Sequence, residues 1–278
     1  MSDCASASVR PLKVSDIPAA LQLSAEAGWN QTAEDWHRLI DLTPKGCVAI
    51  DVDGELAATA TLMCYGQRLA WVGMVLTKLQ HRGRGFARRL LTQSLARADR
   101  MGILTVKLDA TDEGKPIYEK LGFHSEQAVE RWSRLDLSGA SGLLSNAPCD
   151  APLTEEWRSA DRQAFGADRT QLLENLAHRN PPLAVESSYV LTRPGRQTAY
   201  LGPCVSDSSE TARAVIARAL LTGSSSWSWD LLPDNANAVA IARDLGFTPR
   251  RHLTRMVRGE DLCTQTEEIY AIAGFELG

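Results

Sequence analysis

The sequence predicts an α/β fold in two tandem units, on three observations. Apolar strands alternate with helices that carry their apolar residues on one face. A basic, glycine-rich turn joins one such strand to one such helix. The surroundings of that turn then recur in the second half of the chain. The 278 residues, 44% hydrophobic and 23% charged, have ordinary globular composition, and the length suits one large or two small domains.

Val9 to Leu12 reads as a short strand, and Ser15 as the N-cap of a helix in which Ile17, Leu21 and Ala25 recur every four residues. Thr32 caps a second helix, "TAEDWHRLIDL", whose apolar face is Trp36, Leu39 and Ile40. "GCVAIDVDGELAATATLMCYG" reads as a hairpin with Asp53-Gly54 at its tip. "LAWVGMVL" is an apolar strand and runs into "LQHRGRGFARRLL" (79–91). From Gly85 to Arg100, residues Phe86, Leu90, Leu91, Leu95 and Ala98 share one helical face, and Gly102 is a natural stop. "ILTVKLDAT" suits a buried parallel strand, and "KPIYEKLGF" a short helix closed by Gly122.

Residues 138–152, rich in Ser, Gly, Ala and Pro, read as a linker. The expected division is 1–140, a linker over 141–152, and 153–278. Beyond the linker, "AYLGPCV" (199–205) repeats "AWVGMVL" (70–76), and "WSWDLLPDNANAVAIARDLGF" (227–247) repeats "LTVKLDATDEGKPIYEKLGF" (104–123). Between these landmarks the second copy is a few residues shorter, and it has "SDSSETARAVIARALL" where the first has the glycines and the basic cluster. This pattern reads as a duplication with one eroded site. Trp227 and Trp229 are expected to pack between the copies.

Composition narrows the function. A net charge of −4 and a pI near 5.8 count against a polyanion binder, so no nucleic-acid partner is expected. The six cysteines are scattered without a C-x-x-C pair, as free thiols in a reducing compartment would be. The histidines form no ligand pattern, and no metal site is expected. No apolar run approaches the ~20 residues that span a bilayer, and the first residues lack a signal-peptide core. A cytoplasmic protein with no membrane partner is the expectation; oligomeric state is not legible.

A strand running through a glycine-rich turn into a helix is suited to bind anions. Amides at the turn and the helix start point outward unpaired, and glycines let a phosphate approach the backbone. Arg82 and Arg84 add charged donors. The turn is not G-x-x-x-x-G-K-[ST], and G-x-G-x-x-G fails at Arg88. It does match Q-x-x-G-x-G through Gln80, Gly83 and Gly85. With "WVGMV" before it and "VKLDAT" and "PIYEKLGF" after it, residues 9–137 resemble the GNAT family of acetyl-CoA-dependent N-acetyltransferases. The whole chain resembles tandem members of that family with a degenerate second copy, an impression that "GWNQTAEDW" and "IYAIAGFELG" reinforce.

The resemblance implies two GNAT-like domains, each a mixed, mostly antiparallel central sheet flanked by helices. It implies acetyl-CoA as co-substrate, with Gly73, Met74 and Val75 pairing with the pantetheine arm. Gln80, His81, Arg82, Gly83, Arg84, Gly85 and Phe86 would cradle the pyrophosphate. Tyr118 would be the acid that protonates the leaving thiolate; its counterpart in the second copy is Ala242, so that copy is expected to be silent. The acceptor would be a primary amine, most simply of a small molecule, bordered by Trp29, Asn30 and Asp109. Trp29 and Trp36 also read as core residues, and Asp109 and Thr111 end a strand at the sheet edge where α/β folds place ligands. Glu26, Asp109 and His124 are candidate bases. The rival from another class is a non-catalytic acyl-CoA-binding module, which would have no need of Tyr118.

Overall fold

The computed structural model describes residues 7–135, 152–222 and 224–278. The first half comprises β1 (Val9–Pro11), α1 (Ile17–Glu26), α2 (Ala33–Leu42), β2 (Val48–Val52), β3 (Glu55–Tyr65), β4 (Leu69–Thr77), α3 (Phe86–Arg100), β5 (Thr105–Ala110), α4 (Lys115–Glu119) and β6 (His124–Arg134). The second half comprises α5 (Glu155–Phe165), α6 (Thr170–Arg179), β7 (Leu183–Val185), β8 (Ser188–Arg193), β9 (Ala199–Val205), α7 (Ser209–Ala219), β10 (Trp227–Leu231), α8 (Ala236–Asp244), β11 (Thr248–Gly259) and β12 (Ile269–Ala271). From α1 to β6 the order of elements repeats from α5 to β11. The duplication thus extends over the two opening helices, where no sequence match marked it. Nearly all of the expected linker, with Cys149, falls outside the described residues, as does Cys4; the four described cysteines are free.

Local chemistry accounts for most boundaries. Thr32 caps α2 by accepting the Asp35 amide at 3.3 Å, while Asp35 Oδ2 accepts the Thr32 amide at 2.8 Å. Asp53 and Gly54, at φ 52° and 82°, make the tight turn between β2 and β3. The expected Ser15 cap is corrected: a 3₁₀ turn covers Val14–Asp16 and α1 begins at Ile17. The reason is Asp16, whose carboxylate accepts the Lys13 amide and the Arg10 guanidinium and closes that turn.

The strands form one mixed sheet in the order β1-β2-β3-β4-β5-β11-β6-β10-β9-β8-β7, with β12 against β9. Among the described residues only β4–β5 and β9–β10 are parallel. The two units therefore exchange strands. β11 of the second half sits beside β5 of the first, and β6 of the first beside β10 of the second, with β6 and β11 antiparallel at the centre. Trp227 and Trp229 are buried in the second half's core, and Trp229 lies opposite Trp132 of β6.

Ion pairs lock the halves together. Arg193 of β8 reaches Asp35 of α2 at 3.1 Å and Glu276 at 2.8 Å, and Arg38 reaches Asn175 at 2.8 Å. Residues 273–278 are held from both sides. Tyr65 donates to Leu277 O, Trp71 to Phe275 O, Arg193 to Ala273 O and Arg169 to Gly278 O. Arg169 is itself fixed by a fully buried bidentate pair with Asp161.

A chain ended at residue 150 leaves β5 without β11, and β6 without either neighbour. We expect it to be insoluble, or soluble with rapid amide exchange over residues 105–110. A soluble fragment with full protection there would show that the exchanged strand is dispensable.

Candidate functional site

The site begins with a split in the sheet. β4 and β5 pair only from Leu69–Thr105 to Trp71–Lys107, after which the strands diverge. The divergence starts at a bulge in β4, where Met74 sits at φ 48° and its carbonyl accepts the Thr59 hydroxyl at 2.9 Å. A left-handed non-glycine residue costs about 1 kcal/mol or more, so such strain marks a place where strand geometry is being redirected. Gly73 precedes it because a Cβ there would stand 2.8 Å from the Glu276 carbonyl oxygen.

A groove of about 570 Å³ follows the split outward to the start of α3. Gly83 and Gly85 adopt φ +76° and +79°, and the space where each Cβ would be is open. No side chain caps α3, and among the described residues no backbone acceptor meets the amides of 83 to 88. Unpaired donors at the positive end of a helix dipole form an anion site. His81, Arg82, Gly83, Gly85, Phe86 and Arg88 border the groove. Gln80 and Arg84 do not. Gln80 is exposed and turns to His81 at 3.4 Å, and Arg84 lies over the Phe86 ring and contacts His81 at 3.1 Å.

Behind the groove lies a cavity of about 100 Å³, meeting it at Trp29, Val75, Thr111, Tyr118 and Arg251. Gly73, Met74 and Asp109 line this cavity from the first half, and β6 contributes Arg131. The exchanged strand contributes Arg251 and Leu253, and the clamped tail Phe275 and Glu276. Tyr118, half-buried with its ring edge-on to Phe123, has its phenol pushed up to about 12 by burial, so it remains a proton donor at neutral pH.

The candidate bases separate clearly. Glu26 and His124 are exposed and border neither space. Asp109 lines the cavity, but Arg255 holds both its oxygens, at 2.9 and 3.0 Å. Glu276, which sequence reasoning missed, is 3% exposed, and its Oε2 is buried without a hydrogen-bond partner among the described residues. Burial raises its pKa, and Arg193 works in the opposite direction. Gln31 also lines the cavity with an unpartnered oxygen.

Asn30 lies elsewhere. Its side chain accepts the amides of Gln197 and Thr198 and donates to the Thr198 carbonyl, so it clamps a second-half loop and borders neither space. Trp36 is fully buried core, whereas Trp29 borders both spaces.

The second half has the same split, but its own chain fills it. Beyond Trp229–Leu201 the parallel strands β10 and β9 part. β12 enters there, pairing with Val205 and Cys204 of β9, while the Ile272 amide donates to the Asp230 carbonyl of β10 at 2.9 Å. The start of α7 is closed too: Ser208 accepts the Thr211 amide, within a cluster of Ser188, Ser206 and Thr211 hydroxyls. Ala242 is buried where the first half has Tyr118. Among the described residues no cluster of His, Cys, Asp and Glu is arranged to hold a metal, and no helix is long and apolar enough to cross a membrane.

Two models of the acetyltransferase (GNAT) domain match the chain, over residues 44–125 and 158–271. The chain is 26% identical over 216 residues to an uncharacterized N-acetyltransferase, YitH, of Bacillus subtilis, covering 73% of this chain and 74% of that one. It is 24% identical over 264 residues to a holothin acyltransferase of a Pseudoalteromonas species, covering 90% and 87%. A candidate acetyltransferase structure from Pyrococcus horikoshii superposes with a TM-score of 0.86 at 20% identity, over 98% of this chain and 96% of that one. A GCN5-related N-acetyltransferase from Sphaerobacter thermophilus gives 0.66 at 18% identity, over 93% and 98%.

Replacing Gly83 by Val should block approach to the open amides, and weaken coenzyme A binding about ten- to hundredfold, the value of one or two hydrogen bonds to a charged group. Gly102→Val, at φ +67° with equally free space, carries the same backbone strain as a control. Calorimetric titration showing unchanged affinity for Gly83→Val would remove the turn from the anion site.

Proposed function

The chain belongs to the GNAT acetyltransferases and is an acyltransferase, and from that premise we propose that it moves the acetyl group of acetyl-CoA to a primary amine of a small molecule. One observation carries this reading: an open split between β4 and β5 joins a groove ending at uncapped amides to a buried cavity, with Tyr118 where the two meet. The second half supports it by analogy. An extended strand, β12, fits the equivalent split there, as an extended pantetheine arm would fit along Gly73, Met74 and Val75 of the first.

In this reading the pyrophosphate lies against His81, Arg82, Gly83, Gly85 and Phe86 and the thioester beside the β4 bulge. Backbone amides of the splayed strand stabilise the oxyanion that forms as the amine attacks. The new C–N bond forms as the C–S bond breaks, and Tyr118 passes its phenolic proton to the departing sulfur. Glu276, which lines the cavity, takes the proton the amine must lose. Holding the two reactants together supplies most of the acceleration. The second half carries no chemistry of its own and serves as the wall of the acceptor cavity.

A thiol-release screen of amines with acetyl-CoA tests the reading directly; binding without release by any amine would leave a coenzyme-binding module instead. Tyr118→Phe should lower kcat about a hundredfold with coenzyme affinity nearly unchanged. Equal losses in both would make the ring a packing element. For Glu276 the active form is the carboxylate, present above its raised pKa, so kcat should fall as pH drops through that value. Glu276→Gln should cost about 10²–10⁴ in kcat and remove that acidic limb. Persistence of the limb in the variant would assign the base to another group.

A further inference from the structure

Arg251 of β11 stands directly across from Arg131 of β6. Both side chains line the cavity, and both guanidiniums lie over the ring of Phe275, at 5.9 Å and 4.5 Å from its centre. Like charges facing each other on an antiparallel pair repel. Arg131 is neutralised by Asp230, with two contacts of 2.6 Å. Arg251 has no such partner. Among the described residues it meets no carboxylate or carbonyl, only the ring faces of Phe275 and Trp29, each at 5.9 Å. Burial and the neighbouring Arg131 press its pKa downward; Asp230, the carboxylate already paired with Arg131, and Tyr200 act in the opposite direction without reversing it.

The surrounding charges leave the same remainder. Asp109 pairs with Arg255, Asp230 with Arg131, and Asp35 and Glu276 with Arg38 and Arg193. Those four carboxylates face four guanidiniums, and Arg251 is a fifth. A largely desolvated cation with no carboxylate in direct contact, sharing only the field of an Asp230 already bonded to Arg131, is unfavourable unless a ligand supplies a counter-ion. Arg131 Nη1, also without a partner among the described residues, adds a second donor on the same wall.

We propose that Arg251, backed by Arg131, docks a carboxylate carried by the amine acceptor, so that the acceptor class is an amino acid with an apolar side chain. This rests on the acetyl-transfer reading of the same cavity. The cavity is lined by the cation of Arg251 and by the carboxylate residue Glu276, which are the complements of a zwitterion's two ends. Leu253, Phe275, Val72 and Leu108 supply apolar lining of the same cavity. Arg251 also borders the groove, so a carboxylate at the end of an acyl chain has the same chemistry and is the other source to separate.

The test uses the full chain and matched probe pairs: L-phenylalanine with 2-phenylethylamine, L-leucine with 3-methylbutylamine, and L-tryptophan with tryptamine. With acetyl-CoA, the ratio of kcat/KM for each amino acid over its decarboxylated amine should fall about ten- to hundredfold in Arg251→Ala. Arg251→Lys, which keeps the charge but loses the planar fork, should lie between. An unchanged ratio overturns the proposal. A preference for succinyl-CoA over acetyl-CoA that Arg251→Ala abolishes, with 2-phenylethylamine as acceptor, assigns the carboxylate to the donor and also overturns it. Calorimetric titration of N-acetyl-L-phenylalanine, N-acetyl-L-leucine and N-acetyl-L-tryptophan into coenzyme A-saturated protein needs no turnover. Arg251-dependent binding without thiol release would sustain the carboxylate site and refute acetyl transfer. Thiol release with no Arg251-dependent binding would do the reverse.

Discussion

The antiparallel pairing of β6 with β11 is the constraint on which the rest of the molecule depends. It joins two similar half-sheets by exchanging the last strand of each repeat, so that β5 is completed by β11 and β10 by β6. Without it the first half has an exposed sheet edge and a cavity with one wall. With it, residues more than a hundred positions apart in sequence, such as Arg131 and Arg251, line one cavity. The ion pairs from Arg193 and the hydrogen bonds that hold residues 273–278 then fix the far wall to the first half.

The two halves show how a single scaffold can be opened or closed by its own sequence. Both have the parallel strand pair that parts after three rungs. In the first, Gly83 and Gly85 leave the helix start bare. In the second, the hydroxyls of Ser188, Ser206, Ser208 and Thr211 occupy the helix start, and β12 occupies the split. The loss of the basic turn and of the tyrosine is thus matched by a physical filling of the space they would have served.

Much of this was legible in the chain. The turn at 83–85, the strand before it, the helix after it and the position of Tyr118 all follow from short-range pattern, which local sequence carries well. The far wall of the cavity was not, because it depends on strand exchange. Nothing in the spacing of Arg131 or Arg251 says that they will face each other, and Glu276 sits in a segment whose chemistry becomes visible only once Tyr65, Trp71 and Arg193 have positioned it. Asn30 and Gln31 illustrate the same limit. Adjacent polar residues in one loop, they diverge because a second-half loop takes the amide of one and leaves the other facing the cavity. Gln80 fits the motif by letter and Arg84 lies within it, whereas the groove is bordered by His81, Arg82, Gly83, Gly85, Phe86 and Arg88.

The exchanged strand also imposes an order on synthesis. β5 ends at Ala110 and its partner β11 begins at Thr248, so a ribosome adding roughly 5–20 residues per second leaves that edge unpaired for on the order of ten seconds. The half that carries Tyr118 and the glycine turn therefore emerges first and is finished late. A prematurely terminated chain would display the turn and the tyrosine but lack Arg251, Leu253, Phe275 and Glu276, so the lining of the cavity is complete only once the second repeat has threaded its strand into the first.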